Sequence, residues 1–303
     1  MRAPSNPSRI TDSLYCLGPA PVPSFLLDGE MPALFEAGIY AFGPSYANEA
    51  RVILDGRRPA YLFLTHMHFD HCGSAGYLKR EFPGLAVCGS EEGARIVEKP
   101  SAIALITRLN DFGQPGEVKF EPFTVDRVLS DGEEIRVSAD RTVRVIKTPG
   151  HTRDMLSYYI PEIKALIPSE TVGVPGRGDY IFSEFLIDFD TYLRSIERLR
   201  GLDVEILILA HGSYYTGEDA RAYIPRAIAH TQRFRERIEF LVGEHGGDTA
   251  AIAAVIKGEE YDPLTGDKQP ERAYMINLDA KIKAVVRRMN DLTAVDAPFN
   301  KRI

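Results

Sequence analysis

The feature that most constrains this chain is where its histidines stand. There are seven in 303 residues. Five follow directly on short apolar runs: His66, His68 and His71 after Tyr61-Leu62-Phe63-Leu64, His151 after the run through Val145-Ile146, and His211 after Ile206-Leu207-Ile208-Leu209. Apolar runs this short, bounded by Gly and Pro, read as buried strands. A chain that ends strand after strand with an imidazole builds its site from strand ends, where open α/β sheets place theirs.

The stretch Thr65-His66-Met67-His68-Phe69-Asp70-His71 carries the densest part of this pattern. His66 and His68 lie at i and i+2 of an extended segment, so both rings can reach one point. Asp70 and His71 follow where the chain turns into a helix and offer a second pair of ligands. Imidazole nitrogen together with carboxylate oxygen suits Zn, Fe or Mn. A polar loop has no need of four ligand-type side chains so close together. His230 and His245 fall in expected helices and read as packing or surface residues.

Around these positions the chain alternates strands and helices up to about residue 215. The run 24–39 reads as two strands joined at Asp28-Gly29, and 127–137 as a hairpin turning at Asp131-Gly132. Helices are expected over 74–82, 91–99 and 103–109, and over 189–202, where Tyr192, Leu193, Ile196 and Leu199 recur at helical spacing. Beyond Glu218 three long helical patterns follow. The expected organisation is thus an α/β body, residues 1–217, and a helical C-terminal extension, residues 218–303. The apolar stripe Ile224, Ile228, Phe234, Ile238 and Leu241 must be buried, either across the mouth of the site or in a homodimer.

Bulk properties narrow the function classes. A formal charge of −7 disfavours a surface that grips polynucleotide phosphates. Three cysteines, an odd number without short repeated spacing, argue against a disulfide framework and for a reducing compartment. The start shows no secretory pattern, and no stretch is long and apolar enough to span a bilayer. The expectation is a cytoplasmic protein acting on a small molecule, with neither nucleic acid nor membrane as partner.

The pattern His66-x-His68-x-Asp70-His71, followed by strand-end His151 and His211, resembles the metallo-β-lactamase superfamily over roughly residues 10–215. The resemblance implies an αβ/βα sandwich, two mixed sheets with outer helices, and two divalent metal ions (Zn, Fe or Mn). His66, His68 and His151 would hold one ion; Asp70, His71 and His211 would hold the other. The family's bridging carboxylate is the Asp of a Gly-Asp pair, where this chain has Ser169-Glu170; Asp179, in a literal Gly-Asp, is the weaker counterpart. Thr152 would stand beside the site, and Cys72 reads as packing rather than a nucleophile. The motif and the helical extension are most similar to the branch holding glyoxalase II-like thioesterases and the quinolone-signal response protein.

That branch implies a hydrolase in which a metal-bound hydroxide attacks a small ester or thioester and Asp70 takes up a proton. Two other functions use the same residues: oxygen or persulfide chemistry at a single iron, and a regulatory binding protein with a retained hydrolase site.

Overall fold

The computed structural model describes residues 8–110, 120–211, 214–265 and 268–295. In chain order the strands β1 (Ser8–Arg9), β2 (Leu14–Leu17), β3 (Ser24–Leu27) and β4 (Ala33–Phe35) lead into helix α1 (Gly43–Leu54) and β5 (Tyr61–Phe63). A single turn, α2 (Phe69–Cys72), and α3 (Ala75–Glu81) precede β6 (Ala86–Ser90), α4 (Glu91–Val97) and α5 (Pro100–Asn110). Then come β7 (Arg127–Leu129), β8 (Glu134–Ser138), β9 (Arg141–Lys147), β10 (Leu156–Ile160) and β11 (Ala165–Ile167). The short β12 (Val174–Pro175) and β13 (Ile181–Phe182) and helix α6 (Phe189–Arg200) follow. The chain closes with β14 (Ile206–Ile208), β15 (Tyr214–Thr216), α7 (Glu218–Glu244), α8 (Thr249–Glu260) and α9 (Glu271–Val295).

Two mixed sheets carry the first part. One runs β1-β2-β3-β4-β5-β6-β7 and the other β15-β14-β11-β10-β9-β8. In the first sheet β4 to β7 are parallel, and in the second β11 and β14 are the parallel pair. Between the sheets Phe35, Phe63 and Tyr158 cluster, with centroids 5.2 to 5.7 Å apart. Full burial of each such side chain contributes roughly 2 kcal/mol. On the outer face of the first sheet, α1 presents Tyr46, Ala47, Ala50 and Leu54 to a core shared with Leu62, Leu78 and Val87.

Arg127–Ser138 is not the hairpin expected from Asp131-Gly132. β7 pairs with β6 in one sheet and β8 with β9 in the other. The turn hands the chain between sheets. Gly132, at φ 76°, donates to Val145 O at 2.9 Å, and the Asp131 carboxylate accepts from Lys147 N at 2.8 Å. The turn residues are sound, but they fix a reversal and not the partner of each strand. The sequence also reads as a loop after the helix ending at Leu109, and that stretch lies largely outside the described residues.

Chain contacts cluster into two compact units: Met1–Pro149, Arg153–Glu170 and Leu202–Ala222; and Gly150–Thr152, Thr171–Gly201 and Tyr223–Ile303. The first holds both large sheets. The second holds the β12–β13 pair, α6 and the C-terminal helices, and in it Phe185 meets Phe189 and Tyr192 of α6 and Phe234 of α7 at 5.2, 6.0 and 6.0 Å. The stripe Ile224, Ile228, Phe234, Ile238 and Leu241 is buried throughout. No helix among the described residues is long and apolar enough to cross a membrane.

Candidate metal centre

In the first unit the side chains of interest follow the ends of parallel strands. Glu36 comes directly after β4 and His66 three residues after β5; Glu170 and His211 likewise follow β11 and β14. Backbone strain concentrates here. Among the described non-glycine residues with positive φ are Glu36 (63°), Ser169 (49°) and His211 (60°), a conformation that costs about 1–3 kcal/mol per residue and persists where surroundings enforce it. The positive φ of Ser169 accounts for a glycine at that place in the family pattern, since Gly enters this region without steric cost.

β10 fixes the His66 segment from the opposite sheet. Tyr158 Oη donates to Leu64 O at 2.6 Å, and Leu156 N donates to Thr65 O at 2.8 Å. Buried Asp154 accepts from Met67 N at 2.9 Å. His68 caps α2, its carbonyl accepting from His71 N and Cys72 N, both at 3.0 Å. The rings of His66 and His68 meet edge to face at 4.5 Å, and those of His66 and His71 stand 4.3 Å apart.

Glu170 is the hinge of the cluster. Its Oε1 lies 2.7 Å from His71 Nε2 and 3.2 Å from His211 Nε2, while Oε2 lies 3.9 Å from His66 Nε2 and accepts from Ser169 Oγ at 2.6 Å. Ligand atoms of His66, His71 and Glu170 fall within 4.8 Å of one another, as do those of Asp70, His71 and His211. His211 Nδ1 donates to Pro21 O at 2.9 Å. In a neutral ring that bond leaves the lone pair on Nε2, directed at a carboxylate that also offers lone pairs. Likewise, the 2.7 Å approach of His71 Nε2 to Glu170 lacks hydrogen-bond geometry. Lone pairs converge in this way when a cation sits between them.

Without such a cation, protons must take its place. Burial opposes charging His71, but Glu170, Glu36 and Asp70 outweigh it and hold the imidazole well above its ordinary range. His211 is raised to about 9: burial lowers it, and the hydrogen bond and charge of Glu170 more than offset that. Burial likewise pushes Glu170 toward protonation, but His71 and His66, joined by His211, hold it well below the usual carboxylate range. Two imidazoles held toward the charged form beside a carboxylate held ionised fit a divalent ion.

Glu36 is the residue that reading the sequence missed. It is buried, accepts from Thr65 Oγ1 at 2.5 Å, and stands 3.4 Å from His71 Nδ1. A carboxylate behind a ligand imidazole orients the ring and raises its basicity. Its signal was an acid ending the apolar run Ala33-Leu34-Phe35, the same punctuation that marks His66.

The second unit carries His151. It is buried, and its Nδ1 donates to Glu184 O at 2.8 Å. Gly150 has φ 139° and is pressed so closely on α6 that a Cβ there would lie 2.4 Å from Tyr192 Cα. Thr152 is buried beside it and its carbonyl accepts from Gly150 N at 2.9 Å. Asp179 is 90% exposed and paired with Arg226 at 2.8 Å. Cys72 is buried, and burial followed by the charge of Asp70 drives its thiol far up, away from the thiolate a nucleophile requires.

The family of the chain follows from comparison with known proteins. The model of the metallo-beta-lactamase superfamily matches residues 17–211. The chain belongs to the metallo-β-lactamase superfamily, with its α/β architecture of two mixed sheets and a helical C-terminal region. It is 30% identical over 178 residues to a hydroxyacylglutathione hydrolase of Brucella ovis, an alignment covering 58% of this chain and 56% of that protein. The chain thus spans little more than half the length of that relative. Among solved structures, a metallo-beta-lactamase family protein from Thermus thermophilus matches with TM-score 0.67 at 22% identity, covering 94% of this chain and 96% of that one. An archaeal superfamily protein from Sulfolobus tokodaii matches with TM-score 0.60 at 16% identity, covering 91% and 99%.

Proposed function

We propose that this chain is a metal-dependent hydrolase that cleaves a small ester or thioester. The observation that carries the reading is the split of Glu170, with Oε1 turned to His71 and His211 and Oε2 toward His66. A carboxylate so placed is suited to bridge two ions despite replacing the family's aspartate. His66, His68 and His151 would hold one ion, Asp70, His71 and His211 the other, with Glu170 shared between them. Bound divalent metal would supply a water acidified to a pKa of about 7 and a Lewis acid for the carbonyl oxygen.

The chain's own residues do the rest. A cleft is lined by Asp70, His71, Ser169 and His211 together with the apolar residues Val22, Pro23, Phe25 and Leu209. The apolar wall accepts an acyl group and keeps bulk water from it. Asp70, 21% exposed, is the more accessible of the two carboxylates that line the cleft, Glu36 being buried. Its carboxylate takes the proton released as the attacking water becomes bonded to carbon, and returns it to the leaving group. Ser169 donates to Glu170 and so serves as an orienting group, not a nucleophile. Similarity to hydroxyacylglutathione hydrolase supports a thioester as the first substrate to try.

The test is a panel of acyl-glutathione thioesters, aryl esters, lactones and phosphodiesters, offered to protein reconstituted with zinc, manganese or iron. The expected result is preferential hydrolysis of a thioester or ester, with kcat/KM of at least roughly 10⁴ M⁻¹s⁻¹ for a good substrate. Activity confined to phosphodiesters, or oxygen consumption with a persulfide at one iron per chain, would overturn it.

A further inference from the structure

Lys281 is among the most deeply buried side chains of α9, only 1% exposed. A lysine is almost never taken so far from water unless its ammonium is fully engaged. Its Nζ donates to Ser183 O at 2.9 Å and to Glu184 Oε1 at 3.2 Å, and lies 5.6 Å from the centroid of the Phe234 ring. The segment it grips is also held from α7, where Thr231 Oγ1 and Ser183 Oγ are 3.0 Å apart. From α6, Tyr192 Oη accepts from Glu184 N at 3.2 Å. Three helices therefore converge on two residues that belong to no regular element.

Of the two, Glu184 holds His151. The Glu184 carbonyl accepts from His151 Nδ1 at 2.8 Å, and Ile187 N donates to Gly150 O at 3.1 Å. A carbonyl can only accept, so this bond fixes the proton on Nδ1 and the lone pair on Nε2, besides setting the ring plane. We propose that Lys281 is a positioning residue for His151: the C-terminal helix, through its buried ammonium, holds the Glu184 carbonyl that selects the ligand tautomer and orientation of this imidazole. On this account the C-terminal helices serve to hold His151 in place. The inference rests on His151 being a ligand, as proposed above.

The experiment uses the full chain with Lys281→Met, Lys281→Arg and, as a matched destabilised control on the same helix, Leu278→Ala, whose side chain is fully buried. Two readouts are taken. In metal-free protein, ¹⁵N NMR reports the His151 tautomer. Competition with a chromophoric chelator then gives zinc affinity. The native chain should show the Nδ1–H tautomer. Lys281→Met should show a mixture and bind zinc about 10- to 100-fold more weakly, as loss of an outer-sphere partner does. Lys281→Arg should recover most of that loss, and Leu278→Ala should leave the tautomer intact. Should Lys281→Met fail to fold, Glu184→Gln, which weakens the same grip, is read in its place. An unchanged tautomer with affinity within twofold of native, or an equal loss in Leu278→Ala, overturns the proposal. A native chain with the Nδ1–H tautomer but no zinc binding would instead overturn the metal reading of the site, which keeps the two failures distinct.

Discussion

Stripped of metal, the protein should lose stability as the pH is raised from 6.5 to 8. The cause is His211, raised to about 9 by Glu170. A group whose folded pKa lies above its unfolded value adds stability that is complete below the unfolded value and is lost as pH climbs through the folded one. At about 1.4 kcal/mol per tenfold change in proton affinity, the rise from 6.5 to about 9 corresponds to roughly 3 kcal/mol. Solvent screening of a side chain that is 32% exposed brings this to about 2 kcal/mol. About half, roughly 1 kcal/mol, should disappear between pH 6.5 and 8, and His71, shifted in the same direction, adds to it. Glu170 is lowered, so its share is present above the unfolded carboxylate range and fades only toward acid. The buried thiols Cys16, Cys72 and Cys88 are raised, and their loss begins near pH 8.5, outside the window. Urea denaturation in the presence of a chelator measures the effect. Zinc-loaded protein should show the opposite slope, because metal competes with protons for the same imidazoles. A metal-free stability that is flat or rising from pH 6.5 to 8, or a fall that survives unchanged in Glu170→Gln, would refute the reasoning.

Other consequences follow from single contacts. Glu36→Gln keeps a partner for Thr65 but removes the charge behind His71; zinc affinity should fall about 10- to 100-fold, measured by chelator competition, with little change in melting temperature. His66→Ala should lose metal and nearly all hydrolysis by elemental analysis and assay, and full occupancy in that variant would strike His66 from the ligand set. Cys72→Ala should keep full hydrolysis at a cost of about 1 kcal/mol in urea denaturation, and the native thiol should resist alkylation until the chain unfolds. Gly150→Ala should be severely destabilised, since its Cβ would sit 2.4 Å from Tyr192 Cα at a φ of 139°; a melting temperature within a few degrees of native would contradict the packing.

Much of the first unit was legible because its cues are local. Apolar runs ended by histidine mark β5, β9 and β14, and a strand buried on both faces writes itself as such a run. What escaped depends on partners distant in the chain. The Asp131-Gly132 turn is real, but whether it closes a hairpin or passes between sheets is decided by β6 and β9. Helix α1 went unread because Tyr46, Ala47 and Ala50 give it a face of small residues around one ring. Glu36 was hidden for a similar reason. Its role needs a positive φ and the approach of His71, and neither is written in neighbouring residues. The cut at 217/218 followed the change in texture at α7. The contacts instead gather 171–201 with the C-terminal helices, through pairs such as Phe185–Phe234 and Ser183–Thr231.

The account stands on one claim, that the histidines around Glu170 hold the metal which performs hydrolysis. Metal content and thioester hydrolysis measured together, on the same preparation of the full chain, test it most directly. The expected result is two divalent ions per chain, activity that disappears on chelation and returns on adding metal, and selective loss of one ion in Glu170→Gln. Hydrolysis that persists after every ion is removed, or Glu170→Gln protein retaining both ions and full activity, would contradict it.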